Sequence, residues 1–420
     1  MKREKIYMFL IISLFPFQTL YSTINWNFKN QMPTGRDGLG IGVVRDTVYC
    51  IGGWTNGSPS GATGACEAYI PSTDTWLTRS PMPTPRGFLA VCVANDKIYA
   101  IGGWNGSSSA LTVVEEYNPA TNTWTPKTSM SVGRSGLGAE TVNGKIYAIG
   151  GFFSNVVEEF NPAINTWTTK TSMPQPRGFF ASEVVGDKIY VAAGRNNNGD
   201  VGPTYEYTPS SDTAGGTPWQ IKASIPTLRY HPEAAVVNGK IYVCGGLAQT
   251  GEVATVEVYD PLTDNWVVET PMNTRRRELD VGAVGNKIYA IGGWPQGMYQ
   301  INEEGEVIAK IKENITHYQK TRGAHLTSFP NPFNNRTFIK YQICDEKSII
   351  NKKQKATLTI YDISGRVIKS FNHISELSDL TMPVVWSGDD NSGKKLPVGI
   401  YYGCLITPEK TEVIRLTIIR

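Results

Sequence analysis

The chain has 420 residues, of which 18% are charged and 40% hydrophobic, with 42 glycines and a formal net charge of +3. So even a balance leaves no basic footprint for nucleic acid. Beyond one short apolar run at the start, no stretch is long and apolar enough to cross a bilayer as a helix.

The chain begins Met1-Lys-Arg-Glu-Lys-Ile-Tyr-Met-Phe-Leu-Ile-Ile-Ser-Leu-Phe, a basic start followed by an apolar run too short for a membrane span. This predicts a secretory signal over residues 1–22, cleaved after Ser22. The mature protein would then be secreted or held at a bacterial cell surface, with no transmembrane segment.

From 23 to 312 the sequence repeats. Trp26, Trp76, Trp124, Trp167, Trp219 and Trp266 each precede a small-Gly pair by 26 residues, the pairs starting at Gly52, Gly102, Gly150, Ala193, Gly245 and Gly292. The return intervals are 24, 22, 17, 26 and 21 residues, so one half of the repeat is fixed and the other tolerates insertion. Short strands at a period of roughly 40 to 50 residues predict a radial β array in which neighbouring sheets bury one another's faces. The fixed half carries Arg36, Arg86, Arg134, Arg177, Arg229 or Arg276, then a β-hairpin ending in a segment such as Lys97-Ile-Tyr-Ala-Ile-Gly-Gly. The variable half carries two outer strands, as in Val114-Glu-Glu-Tyr-Asn-Pro leading to Trp124. The sixth repeat has Glu306 where tryptophan is due, while Trp26 is spare at the other end. The strand around Trp26 is therefore expected to complete the last blade and leave no open edge; closure by residues 306–311 alone is the alternative.

The early arginine, the Tyr before Gly-Gly and the Tyr-to-Trp spacing of about seven resemble the kelch repeat. The resemblance implies an all-β fold whose first domain is a six-bladed propeller, and leaves the chemistry open. The sequence departs from the pattern at Ala193-Gly194, at Phe160 and in the sixth repeat.

After residue 312 the repeat stops. Residues 313–327 read as a polar linker and 328–420 as a small Ig-like β-sandwich of six or seven short strands. Phe329-Pro-Asn-Pro-Phe-Asn, Ile360-Tyr-Asp-Ile-Ser-Gly-Arg-Val and Trp386-Ser-Gly-Asp-Asp-Asn-Ser-Gly resemble the FlgD-like immunoglobulin module and the related C-terminal sorting domains of type IX secretion. That resemblance implies export or surface attachment through a secretion machinery. Locally, Asp362–Gly365 reads as a hairpin turn, and Gly388–Gly393 as a surface turn lacking the spacing and distal Glu of a calcium loop.

Binding is expected on the propeller face that carries the loop after each small-Gly pair, since length varies there on a rigid scaffold. Following the pairs are Trp54, Trp104, Phe152, Arg195, Leu247 and Trp294. Two places after the repeat arginines lie Gly38, Phe88, Gly136, Phe179, His231 and Glu278, with Tyr230 and Arg277 beside the last two. Pointing inward, these would ring the mouth with flat aromatics suited to a glycan or a surface protein; folding back, the tryptophans would cap their own blades. The six arginines read as structural, paired with Glu67, Glu115, Glu158 and Glu257.

Enzyme signatures are thin. Of four histidines only His231 lies in the repeats, so no metal site or copper-oxidase ligand set is expected, and no cofactor. The alternatives are an acid-base enzyme resembling the kelch-type sialic acid mutarotases, using Arg195, Arg277, Glu278 and His231, and a structural spacer in a surface assembly. Cys50, Cys92 and Cys244 lie inside strands and read as buried thiols; Cys344 with Cys404, then Cys50 with Cys66, are the pairs to consider for a bridge.

Overall fold

A computed structural model describes residues 20–295, 299–311, 323–329, 331–334, 336–344, 357–362, 366–371, 384–406 and 411–419. The chain divides into two units, Met1–Lys312 and Glu313–Arg420. Among the described residues no helix is long and apolar enough to cross a membrane.

The first unit holds six four-stranded antiparallel sheets. Blade one runs Gly40–Val44, Thr47–Ile51, Cys66–Ile70 and Thr75–Arg79; blade two Ala90–Ala94, Lys97–Ile101, Val114–Asn118 and Thr123–Lys127. Blade three is Gly138–Val142, Lys145–Ile149, Val157–Asn161 and Thr166–Lys170; blade four Ala181–Val185, Lys188–Ala192, Pro203–Tyr207 and Trp219–Ser224. Blade five is Glu233–Val237, Lys240–Cys244, Val256–Asp260 and Asn265–Glu269. Blade six takes Asp280–Val284, Lys287–Ile291 and Asn302–Ile311 from one end of the repeats and Leu20–Phe28 from the other. The first strand of each blade packs against those of both neighbours, blade six against blade one included, so the sheets form a closed ring.

The 26-residue interval spans the step from one blade to the next, which explains its constancy. Each tryptophan sits on a fourth strand, and its indole N–H donates to a carbonyl of the preceding blade: Trp76 to Asn30, Trp124 to Ser80, Trp167 to Thr128, Trp219 to Thr171, Trp266 to Ala223 and Trp26 to Thr270. Trp26 is thus the sixth member of the set, as expected. In five blades the indole packs on the third-strand ring, Tyr69, Tyr117, Phe160, Tyr207 or Tyr259, at 4.7–5.1 Å between centroids. In blade six Gly305 takes that place opposite Trp26, and a Cβ there would meet the indole at 2.8 Å. Glu306 is therefore not at the tryptophan position; it lies on the third strand, opposite Asn25.

The arginines are fully buried and hold each blade's entry to its own third strand. Nη atoms of Arg36, Arg86, Arg134 and Arg276 lie 2.6, 2.6, 2.7 and 3.0 Å from Glu67, Glu115, Glu158 and Glu303, and Arg229 bonds Glu257. Glu303 was not anticipated, because Gly305 removes the aromatic that marks it two places on. Blade four has no such acid: Arg177 stacks at 4.3 Å on Tyr205. Between blades, the second residue of every pair donates its N–H to the next arginine's carbonyl, from Gly53 to Arg86 round to Gly293 to Arg36. The first residue of the pair has φ between +56° and +70° throughout, Ala193 included at +58°.

The first strand is described from Leu20, and residues 1–19, most of the expected signal segment, lie outside the described residues. Some expectations need correction. A strand, Gly323–Phe329, occupies the end of the expected linker because it pairs with Phe338–Cys344 and buries Leu326. Cys50 and Cys66 are free, buried thiols. Cys50 faces Glu67 and Cys66 faces Ile51 across the same strand pair, which puts the two cysteines on opposite sides of the sheet. Burial pushes the Cys66 thiol up to about 12. Cys404 is also free; the Cys344 side chain lies outside the described residues.

The second unit is a sandwich. Sheets Gly323–Phe329/Thr337–Cys344/Val384–Trp386 and Val367–Phe371/Thr357–Asp362/Gly399–Ile406/Thr411–Ile418 share one core around Trp386, Ile339, Leu358, Ile360, Leu405 and Leu416. The Gly388–Gly393 segment is a turn, as expected: Asp390 Oδ1 accepts from the Ser392 N–H and hydroxyl and the Lys394 N–H, while Asp389 pairs with Lys369 at 2.6 Å. Gly365 lies outside the described residues.

Candidate functional site

The connection before each first strand and the loop after each second strand open on one face. There the backbone forms a closed circle. Gly38, Phe88, Gly136, Phe179, His231 and Glu278 each donate an N–H to the preceding member's carbonyl, at 2.8–3.3 Å, with Gly38 bonding Glu278 to complete it. All six have φ between +51° and +58°, a region glycine enters freely and other residues at a cost. Such a turn, repeated six times, aims these side chains at the axis.

The aromatics meet there rather than lining an opening. Phe88 and His231 belong to blades two and five, opposite each other in the ring, yet their centroids are 5.1 Å apart; Phe179 lies 5.1 Å from Phe88 and 4.1 Å from His231. Phe88 and Phe179 lean over Gly38 and Gly136, where a Cβ would collide with them. The mouth is thus plugged.

The tryptophans are packed as well. Trp54 is 5% exposed, set against Gly87 and edge-on to Phe88 at 4.3 Å and Trp104 at 6.1 Å. Trp104 donates to the Ser107 carbonyl of its own loop. Trp294 abuts Gly57 of blade one and Tyr299, with Arg277 5.5 Å above its ring. Phe152 and its neighbour Phe153 differ: they are 47% and 52% exposed and stack at 3.6 Å. Blade three has the shortest loop of the six, which leaves this pair uncovered.

Arg277, Glu278 and His231 come together as expected. Glu278 Oε1 lies 3.1 Å from Arg277 Nε and 3.7 Å from His231 Nε2, and Arg277 also pairs with Glu252 at 2.9 Å. Arg195 sits on Tyr230 at 3.8 Å and pairs with Asp200. Burial, then the positive charge of Arg277 and Arg195, pushes His231 down to about 3, so it is neutral. Asp37, which sequence reading missed, is fully buried beside Glu278. Burial and the Glu278 charge push it up to about 7.

Behind the plug, the six first strands line a cavity of about 380 Å³ whose lining includes the half-buried Glu140, Glu183, Glu233 and Asp280 and no basic residue. Desolvation pushes Glu140 and Asp280 up to about 7, and Glu183 and Glu233 well above the usual carboxylate range. Sequence reading missed these four too. The legible signal was an acid inside strands otherwise built of Gly, Ala, Val and, in two of them, one Ser or Thr.

Comparison with known proteins gives the fold a name. The kelch motif matches residues 35–83, 85–131, 133–174 and 228–273, which are blades one, two, three and five. The human kelch repeat and BTB domain-containing protein 12 is 32% identical over 102 residues, 21% of this chain and 16% of that protein. Kelch-like protein 36 of Bos taurus is 31% identical over 102 residues, 24% of this chain and 16% of its own length. The mouse influenza virus NS1A-binding protein homolog is 37% identical over 59 residues, 14% of this chain and 9% of that protein. The chain thus matches about a sixth or less of these relatives. The solved structure of YjhT superposes with a TM-score of 0.56 at 16% identity, covering 67% of this chain and 99% of that one. The chain carries kelch repeats, and its first unit is a kelch β-propeller.

Proposed function

We propose that the protein is an exported binding module whose loop face docks another protein. The observation that carries this reading is the packing of the aromatics. A sugar site needs open flat faces, whereas Trp54 is buried, and Trp104 and Trp294 are packed into their loops and a blade junction. What the face offers instead is the exposed Phe152–Phe153 pair, the apolar kind of anchor that protein interfaces bury. The kelch repeats support protein binding in general terms, and one relative is named for binding a viral protein. The acid-base alternative keeps its residues together, but Glu278 and His231, at 12% and 10% exposure, face each other within the plug that His231 helps to form.

The test is a photo-reactive residue placed at Phe153, against a control at Leu262, on a turn of the opposite face, during expression in the native host. A discrete protein adduct formed only from position 153, and lost on adding Phe152→Ala, supports the reading. A glycan array bound by the wild type and not by a folded Trp54/Trp104/Trp294→Ala variant would overturn it.

Export rests on the sequence of residues 1–22, and surface attachment on the likeness of the second unit to sorting domains. N-terminal sequencing of the exported protein checks the first. Removing residues 313–420 should leave the propeller inside the cell envelope, and unchanged delivery would sink the second.

A further inference from the structure

Blade four lacks one half of a device that the other five blades share. In those five, a fully buried arginine meets a third-strand glutamate, whose second oxygen or shared oxygen accepts a hydroxyl from the entry segment: Thr34, Thr84, Ser131, Thr227 or Thr274. In blade four the glutamate is replaced by Tyr205 and the hydroxyl position by Gln175, whose amide oxygen is instead 3.5 Å from Asn196 Nδ2. Arg177 is nevertheless 0% exposed.

Its remaining contacts are few. Nη1 donates to the Val191 carbonyl at 3.4 Å, the guanidinium lies over the Tyr205 ring, and Nε and Nη2 have no hydrogen-bond partner. Nε is also unpartnered in Arg36, Arg134, Arg229 and Arg276, but an unpartnered Nη nitrogen is found only at Arg177 among the six. A ring quadrupole offsets only part of a buried cation's desolvation. Burial accordingly pushes Arg177 down to about 10, with Tyr205 the one residue opposing it.

We propose that Arg177 is an anion-binding site inside blade four, where a small monovalent anion of the halide class, held on the free Nε and Nη2 edge, supplies the negative charge that a glutamate supplies in the other five blades. Size and hydration select the class: the site is fully buried, so the ligand must be compact and shed water readily, which favours chloride over phosphate or an organic acid. The directions fit as well, since the two free N–H groups are neighbours on one edge of the guanidinium, the edge that binds an anion through paired donors.

The test uses the full chain. Thermal unfolding is followed as sodium chloride or bromide replaces sodium gluconate at constant ionic strength, and crystals grown in bromide are examined by anomalous scattering. The expected results are a melting temperature higher by about 2–4 °C in halide and a bromide peak against Arg177 Nε and Nη2. Tyr205→Glu restores the carboxylate and should fold, lose the halide dependence and lose the peak. If the wild type melts identically in both salts and bromide appears only at the surface, the proposal is wrong and Tyr205 alone balances the charge. Should Tyr205→Glu not fold, the wild-type measurements still decide.

Discussion

Glu67, Glu115, Glu158, Glu257 and Glu303 lie buried in the same propeller as Glu140, Glu183, Glu233 and Asp280. The first set each meet an arginine and a hydroxyl; the second face one another across the axis with no base among the cavity's lining residues. A charge removed from water must be paired or neutralised. The belt shows the first solution and the axial cavity the second, in which the carboxyls keep their protons to higher pH. Where an acid sits in the blade therefore decides whether it meets a buried arginine or, half-buried on the axis, only other acids that raise its pKa.

Breaking the belt should have the largest effect. Glu115→Ala leaves Arg86 charged and buried, and urea unfolding should show a loss of about 3–5 kcal/mol. A loss under about 1 kcal/mol would mean that water reaches Arg86 and the pair is not a true interior ion pair.

The cavity makes the next prediction, and its sign follows from linkage. Folded-state values above the unfolded ones mean that the native protein binds more protons than the unfolded chain between the usual carboxylate range and about pH 7. The stability these groups contribute is present below about pH 4.5 and is lost as pH rises through about 7. The double variant Glu183→Gln/Glu233→Gln should melt higher than the wild type at pH 8, match it more closely at pH 5, and flatten the profile between. An identical profile in both proteins would show that the cavity acids titrate normally.

The smallest expected change separates backbone strain from charge. Ala193 adopts φ +58° where the other five blades have glycine. Ala193→Gly should stabilise by about 1 kcal/mol, the cost of a left-handed Ala less the entropy that glycine adds to the unfolded chain. Destabilisation would mean that the Ala193 methyl contributes more to blade four's core than its backbone costs.

Much of the fold was legible because it rests on spacing. The 26-residue interval is the covalent path from one blade's outer strand to the next blade's inner hairpin, and a closed ring gives that path no room to vary. Trp26 could be assigned to blade six for the same reason. The strand at Gly323–Phe329 escaped notice because Gly, His, Thr and Ser surround Leu326, and its burial follows from pairing opposite Tyr341. At the mouth, the sequence placed the right residues on the right face but not their directions: inward-pointing aromatics were expected to line an opening, and Phe88, Phe179 and His231 meet across the axis and close it.

By itself the sequence determined the repeat, the six arginines and tryptophans, and the face on which the loops gather, because each is fixed by local chemistry recurring at a set distance. Tertiary structure alone decided which charges are paired. Asp37 and Glu278, Phe88 and His231, and the four cavity acids are far apart in the chain, and only closure of the ring brings them within reach. The carboxyls and His231 owe their shifted pKa values to that closure, since it takes away part of the water around them and sets them beside one another's charges.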